Sequence, residues 1–327
     1  MPSTALLDAI GIGATNRVIE LLRGGADPNE PAVISRVGYE TRPLVEASAL
    51  NHIDICAALL QHNANVGSRN KYNETPVHAA AVGGHRDVLQ MLLKNGANPN
   101  TTNDWWRTPL MAAAEENHCA VIDLLLQNKA KVDEQDMFGM TALHWTAEKG
   151  FVEATRILIT NGANMDLKER RGNTPLKVAT NYSRAGVIGL VLEHGGNPNV
   201  ADNYGRTALF DACLRLRPVT VCLLLKNGAN VNHKNHNGRT ALHQMAYRGH
   251  AEMVTTLVAN GADISMKNNE GKTALVEACG KGQTAAVFAL LEAHVALFSH
   301  YSDVARDIIG KDNLGRTNDK KRKKDEI

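Results

Sequence analysis

The chain has 327 residues, of which 43% are hydrophobic and only 4% aromatic, so its core must be built mainly from Leu, Val, Ile and Ala. Its net charge of +2 is nearly balanced and by itself argues neither for nor against a nucleic-acid partner. The five cysteines form no CxxC pair, and no apolar run reaches the roughly 18 residues of a membrane-spanning helix. We therefore expect a reduced protein without membrane insertion, cytoplasmic or, as the alternative, nuclear.

A motif that begins with Thr recurs every 33 residues from Thr75 to Thr273. Its copies are TPVHAA, TPLMAA, TALHWT, TPLKVA, TALFDA, TALHQM and TALVEA. Upstream, RPLVEA at Arg42 keeps the spacing, and TALLDA at Thr4 fits if five residues are inserted near 30–41. A fixed period of this length is the signature of a stacked repeat protein.

A second motif has the same period and lies between copies of the first. It has the sequence GGADPN at 24–29, NGANPN at 95–100 and NGADIS at 260–265, with eight copies in all. From these eight copies we predict eight repeats.

Each unit has the signals of two short helices. Thr can cap a helix N-terminus, and the Pro that often follows it is suited to the first helical position. Glycines such as Gly84 and Gly150 suit the end of the first helix. An apolar second helix follows, for example VLQMLL at 88–93, and ends near Gly96. Because such a pair cannot bury its apolar faces alone, neighbouring units must stack.

These residues resemble the ankyrin repeat, whose signatures are the 33-residue period and the T-P-L-H-x-A motif. The resemblance covers roughly residues 4–293 and implies an all-α repeat solenoid, with helix-turn-helix pairs joined by β-hairpin-like loops. The hairpin glycine of the family is Asn73 in one unit and Trp106 in another. Because Trp tolerates positive φ poorly, we expect altered geometry in that hairpin.

The sequence divides into three predicted segments. Residues 1–294 form the repeat array, in which the first and last repeats act as caps. Residues 295–310 carry apolar side chains at helical spacing and are predicted to form an amphipathic C-terminal capping helix. Residues 311–327 form a basic disordered tail.

The hairpin tips are the first candidate partner-binding residues, because solenoids bind through positions that stacking does not use. Five of the fourteen aromatic residues share one hairpin register, and Trp106 adjoins it. The alternative is that aromatics merely suit an extended loop. The register consists of Tyr39, Tyr72, Trp105, Phe138, Arg171, Tyr204, Asn237 and Glu270.

Trp145 is a second candidate. Its register holds polar residues in other units, namely Asp8, Glu46, Asp211, Gln244 and Glu277. We therefore expect Trp145 to be exposed on the concave face and to bind a partner, with local packing as the alternative.

Charge is divided unequally along the chain. Residues 1–135 carry 11 Lys and Arg against 15 Asp and Glu, whereas residues 136–327 carry 25 against 19. This asymmetry predicts a partner with an acidic segment that binds the later repeats, and the alternative is ordinary solvated charge. The candidate contacts are Arg206, Arg215, Arg239, Arg248 and Lys272.

Two further sets of residues are candidates for regulation. The resemblance implies that turn asparagines could be substrates of an intracellular asparaginyl hydroxylase. Asn29, Asn100 and Asn232 have the favoured upstream leucines, and the alternative is a purely turn-forming Asn. The tail residues Lys320, Lys321, Arg322, Lys323 and Lys324 resemble a nuclear-import signal, and the alternative is an ordinary solvated end.

No catalytic, cofactor or metal motif is present in the sequence. It contains no P-loop, nucleophile elbow or H-E-x-x-H, and His233, His236, His243 and His250 belong to different elements of one repeat. Histidines of the repeat motif are expected to tie helix to hairpin. We predict a monomeric, non-catalytic scaffold or adaptor that binds a protein. The alternative is a nucleic-acid-associated or nuclear regulatory factor that uses the basic C-terminal repeats and tail.

Overall fold

The computed structural model describes residues 2–33 and 40–295. Within these ranges the chain forms eighteen α-helices, which follow one another as nine helix-turn-helix pairs. The pairs are α1 (Pro2–Gly11) with α2 (Thr15–Arg23), α3 (Pro43–Ala49) with α4 (Ile53–Gln61), α5 (Pro76–Val82) with α6 (Arg86–Lys94), α7 (Pro109–Glu115) with α8 (Cys119–Gln127), α9 (Ala142–Lys149) with α10 (Val152–Thr160), α11 (Pro175–Asn181) with α12 (Ala185–Glu193), α13 (Ala208–Leu214) with α14 (Pro218–Lys226), α15 (Ala241–Arg248) with α16 (Ala251–Ala259), and α17 (Ala274–Gly280) with α18 (284–295).

The prediction of eight repeats is wrong by one, because the described residues contain nine helix pairs. The error came from counting the turn motif, which joins consecutive pairs. Eight such turns connect nine pairs, and the pair that precedes the first turn has no turn motif of its own.

The five-residue insertion lies in the first hairpin. Strands β1 (Ala32–Val33) and β2 (Glu40–Thr41) pair antiparallel, with Ala32 opposite Thr41. Residue Tyr39, one of the predicted tip aromatics, lies outside the described residues.

The predicted helix starts are confirmed. The hydroxyl of Thr108 accepts a hydrogen bond from the backbone N–H of Met111 at 3.3 Å, and Pro109 is the first residue of α7. Thr141 caps α9 in the same way, by accepting from the N–H of His144. These bonds satisfy N–H groups that have no partner inside the helix.

The chain divides into two compact units, Met1–Asn203 and Tyr204–Ile327, called here unit 1 and unit 2. In unit 1 the first helices pack in series from α1 through α3, α5, α7 and α9 to α11, and the second helices from α2 through α4, α6, α8 and α10 to α12. In unit 2, α13 packs against α15, and α15 against α17.

Small residues allow the first helices to approach one another closely. Ala80, Ala113, Ala179 and Ala212 occupy one repeat position and are fully buried. The second helices contribute Leu and Val, as the sequence predicts for a core poor in aromatics.

The predicted capping helix at 295–310 and the tail at 311–327 lie outside the described residues, apart from Val295 at the end of α18. Among the described helices, none has both the length and the apolar character that crossing a membrane requires.

Candidate protein-binding surface

In the hairpins that precede α7 and α9, one polar side chain at the start of the hairpin holds the turn. The Oδ1 atom of Asn103 accepts from the backbone N–H groups of Trp105 at 3.1 Å and Arg107 at 3.0 Å. Asp136 does the same in the next hairpin for Phe138 at 2.8 Å and Met140 at 2.9 Å. The tip residues Trp105 and Phe138 therefore have a fixed backbone.

Successive tips in unit 1 are linked by single backbone hydrogen bonds. Each N–H donates to the carbonyl oxygen of the preceding tip: Asp104 to Tyr72 at 3.2 Å, Met137 to Trp105 at 3.0 Å, and Arg170 to Phe138 at 2.9 Å. Because these bonds fix the spacing of the tips, the residues of one register form a continuous row.

Four exposed aromatic residues of unit 1, Tyr72, Trp105, Trp106 and Phe138, are called here the aromatic stripe. The rings of Tyr72 and Trp105 pack with centroids 5.6 Å apart, and the Lys71 ammonium lies 4.7 Å from the Tyr72 ring. Trp105 is still 40% exposed. The structure thus brings together every predicted tip aromatic of unit 1 that it describes.

Trp106 does not alter its hairpin, and the prediction that it would is wrong. Its φ is +60°, in the left-handed region where the equivalent Gly139 has +78°. The turn bonds are preserved, since Trp106 N–H donates to the Asn103 carbonyl at 3.0 Å and Asn103 N–H to that of Arg107 at 3.1 Å. The hairpin contacts dictate the backbone, and Trp106 bears the strain.

At the equivalent position of two other repeats, the following hairpin leaves little room for a Cβ. At Gly172 and Gly238, a Cβ would come within 2.7 Å and 2.6 Å of a backbone nitrogen in the following hairpin. Trp106 carries a Cβ at the equivalent place, and its side chain is 63% exposed. Burial of the indole therefore does not explain why Trp is tolerated here.

Trp145 is half-buried, so the prediction of an exposed concave residue is wrong. Its indole N–H donates to Asp136 at 3.2 Å, and the Arg107 guanidinium stacks on its ring at 4.4 Å. Arg107 also pairs with Glu115, which lies 3.9 Å from Lys149. Trp145 therefore belongs to a polar network that joins two repeats, and a role as a partner contact stays a prediction.

Most polar equivalents of Trp145 are also buried, contrary to expectation. Glu46, Asp211 and Glu277 are each at most 5% exposed. The reason is local pairing: the Oε1 atom of Glu277 accepts from Arg239 Nε at 2.8 Å and from an amide at 2.6 Å. Of the remaining two, Asp8 is exposed and Gln244 is half-buried.

The basic candidates of unit 2 separate into two groups. Arg206 and Arg239 border one cavity together with the exposed Tyr204. Arg215, Arg248 and Lys272 are exposed and lie outside that cavity. Arg248 donates to the Leu214 carbonyl at 3.1 Å, and Lys272 pairs with Glu270 at 2.8 Å, which raises the pKa of Lys272.

The turn asparagines connect consecutive turns. The Asn100 side chain donates to the Lys129 carbonyl at 3.1 Å and accepts from Lys131 N–H at 2.8 Å. Asn232 makes the same two bonds to Gly261 and Asp263, and Asn29 to Asn63 and Asn65. These contacts support the turn-forming interpretation, and hydroxylation stays a prediction.

The motif histidines tie helix to hairpin, as predicted. In His144, Nδ1 accepts from Thr141 N–H at 3.2 Å and Nε2 donates to the Asn173 carbonyl at 3.1 Å. His78 and His243 make the equivalent bonds. Desolvation lowers the pKa of His78 and of His144 from 6.5 to about 4.

Sequence reasoning missed a buried ion pair. Lys177 occupies the motif position of these histidines, and its Nζ lies 3.2 Å from Asp202 Oδ2, with both side chains only 1% exposed. A Lys in place of the motif histidine was the available signal, since a lysine at a core position needs a partner charge.

The predicted import residues, Lys320, Lys321, Arg322, Lys323 and Lys324, lie outside the described residues. They stay a prediction, as does Tyr39.

Stacked helix-turn-helix units joined by linked hairpins define the class of all-α repeat solenoids. A family model described as ankyrin repeats matches residues 6–103, 110–202, 159–235 and 217–300. The chain therefore belongs to the ankyrin repeat family, whose members generally mediate protein–protein interactions. The repeat period in the sequence had already predicted this family.

One solved structure that this chain resembles is the ankyrin repeat domain of Bcl-3, described as a unique member of the IkappaB protein family. The two share 30% sequence identity with a TM-score of 0.62, and the match covers 66% of this chain and 98% of that one. A comparison with curated proteins found no match.

Proposed function

We propose that this chain is a non-catalytic scaffold or adaptor that binds a protein through the aromatic stripe of unit 1 and the basic concave side of unit 2. It acts in the cytoplasm or the nucleus as a monomer. Exposed Trp and Tyr are common anchors of protein interfaces, because they bury a large apolar area at little entropic cost.

The observation that carries the proposal is Trp106. A large side chain in the left-handed region costs about 1–2 kcal/mol relative to Gly, and the exposed indole recovers little of this by packing. Strain of this kind persists where the surrounding structure fixes the backbone, and strained residues are frequent at functional sites. A partner that buries Trp105 and Trp106 together would account for both the backbone strain and the exposed indole of Trp106.

The second part of the partner is acidic. The described residues of unit 2 carry ten Lys and Arg against six Asp and Glu. Such a surface attracts an acidic segment and sets its orientation. Nucleic acid would be attracted by the same charge, so competition with unrelated DNA or RNA is needed to distinguish the two partners.

The test compares affinity purification of the intact chain, a Trp105→Ala/Trp106→Gly variant and a Tyr182→Ala control. Tyr182 is an exposed aromatic at the end of α11, away from the hairpin tips. We expect one protein to be captured by wild type and by the control but lost from the stripe variant. Its affinity, measured with the purified protein by calorimetry, should fall by about 10-fold or more for the stripe variant.

Equal capture by all three proteins would contradict the proposal. Displacement of the captured protein by unrelated DNA or RNA would favour a nucleic-acid-associated factor instead. The stripe variant should be no less stable than wild type, because Trp106→Gly relieves strain, so unfolding would not explain the loss.

A further inference from the structure

Unit 2 contains a cavity of about 330 Å³, called here the arginine pocket. It lies between two successive hairpins and the first helices that follow them. Tyr204 and Arg206 border it from one hairpin, Asn237 and Arg239 from the next, with Phe210 of α13 and Gln244 of α15 completing its lining. This volume is at the lower end of ligand pockets and suits one or two side chains of a partner.

The apolar part of the pocket arises from a change in the repeat motif. Phe210 occupies the position where His144 and His243 bond to the next hairpin. A phenyl ring cannot make that bond and instead lines the cavity, with Leu214 one helical turn further along α13. This apolar lining favours a ligand that has an apolar group of its own.

The two arginines are held in place by buried carboxylates. Arg239 donates from Nε to Glu277 at 2.8 Å and stacks over Tyr247 at 4.9 Å. Arg206 stacks over Tyr204 at 4.9 Å, with Nε 3.8 Å from Asp211. Stacking and pairing restrict each guanidinium to one orientation, so less entropy is lost when it binds a ligand.

The outer edge of the Arg239 guanidinium is available to a ligand. Among the described residues, its Nη1 and Nη2 atoms have no hydrogen-bond partner. A guanidinium fork of this kind binds carboxylates and phosphates through paired N–H groups. Asn237 and Gln244 add amide donors on the same cavity.

The charge around the pocket favours an anion. Asp211 and Glu277 offset the two arginines, but Lys281 lies 5.0 Å from the Tyr247 ring that Arg239 stacks on. Unit 2 as described has four more basic than acidic residues. An entering carboxylate therefore meets fixed N–H donors in a surface of positive charge.

We propose that the arginine pocket binds an anionic side chain of the partner together with an adjacent apolar side chain, the anion on the Arg239 fork and the apolar group on Phe210. This inference rests on the proposed function and names the chemistry of the acidic segment. The anion could be a carboxylate or a phosphorylated side chain, since both suit the fork.

The test uses small probes that need no natural partner. The probes are 3-phenylpropionate, its neutral amide and inorganic phosphate, each titrated at pH 7 into the full chain. Binding is followed through the NMR signals of the Asn237 and Gln244 side-chain amides. We expect saturable shifts with phenylpropionate at roughly millimolar Kd and at least 10-fold weaker binding of the amide. Tighter binding of phosphate than of phenylpropionate would assign the pocket to a phosphorylated residue.

The test variant is Arg239→Gln combined with Glu277→Gln, which avoids leaving a buried carboxylate without its cation. It should weaken phenylpropionate binding by about 10-fold. Lys226→Gln removes an exposed basic residue at the end of α14, outside the pocket, and should leave binding unchanged. Equal binding of acid and amide, or equal loss in both variants, would overturn the proposal. The aromatic-stripe test would be unaffected, because it concerns residues of unit 1.

Discussion

Units 1 and 2 are built from the same repeat but differ in what they expose. As described, unit 1 carries 17 Lys and Arg against 22 Asp and Glu, whereas unit 2 carries ten against six. Unit 1 has aromatic hairpin tips, while the later tips of unit 2 are Asn237 and Glu270. The repeat thus fixes the backbone and leaves the hairpin tips free to diverge.

Each unit also contains one large apolar residue in the left-handed region. Trp106 in unit 1 has a φ of +60°, and Leu216 in unit 2 has a φ of +54°. At the position equivalent to Leu216, other repeats have Gly150 and Gly249. Both side chains are exposed. The same backbone requirement is therefore met at a similar cost in two different kinds of turn, a hairpin and a helix-helix turn.

The largest expected effect concerns the buried charge of unit 1. Replacing Lys177 by Met leaves Asp202 buried without its cation and should lower the free energy of unfolding by about 3–5 kcal/mol. The equivalent position in unit 2 is Phe210, where Phe210→Leu should cost about 1 kcal/mol. Urea unfolding measures the free energy of unfolding of both variants. Tryptophan fluorescence follows unit 1, which contains all three tryptophans, and circular dichroism follows the whole chain.

The matched control is Lys177→Met combined with Asp202→Asn, which should recover most of the lost stability. A double variant as unstable as the single one would show that packing, and not charge, is responsible.

The next effect is acid sensitivity. His78 and His144 are neutral in the folded protein, so the unfolded state binds protons first as the pH falls. Stability is complete above pH 6.5 and is lost between pH 6.5 and about 4, by about 2 kcal/mol for each histidine at pH 5. Urea midpoints at pH 7.5 and 5, followed by tryptophan fluorescence, measure the loss.

His144→Gln should remove about half of this pH dependence. In unit 2, desolvation also lowers the pKa of His243. We therefore expect acid to destabilise unit 2 as well, and circular dichroism measures this as a lower urea midpoint. An unchanged pH dependence in His144→Gln would contradict the assignment.

The smallest effect distinguishes strain from function. Trp106→Gly and Leu216→Gly should each raise the free energy of unfolding by about 1 kcal/mol, because Gly adopts positive φ without strain. Thermal unfolding measures both. Only Trp106→Gly should also weaken partner binding. Loss of binding in both variants would mean that the effect is not specific to the stripe.

The sequence predicted the fold because each repeat carries its own local signals. Thr108 and Pro109 start a helix, and Gly150 ends one, whatever the neighbouring repeats contain. The tip register that contains Trp105 was predictable for the same reason, since equal spacing places equivalent residues on one side of the array. The number of repeats was not, because the outermost pair lacks a turn motif.

The surface character of individual residues was harder to predict. Trp145 and Glu277 belong to a register that is polar in several units, yet side chains from the adjacent hairpins bury Glu277 and half-bury Trp145. The arginine pocket likewise depends on two residues, Arg206 and Arg239, that are 33 positions apart. Their proximity to Phe210 follows from how the hairpins lie over the helices.

The sequence by itself determined the repeat, the helix boundaries and the aromatic register, because capping, turn formation and periodicity act over a few residues. Only the tertiary structure decided that Trp106 adopts the backbone of a glycine, that Trp145 is enclosed by Arg107 and Asp136, and that Lys177 is neutralised by Asp202. Those outcomes depend on contacts between neighbouring repeats, where packing and charge pairing override the preference of a single residue.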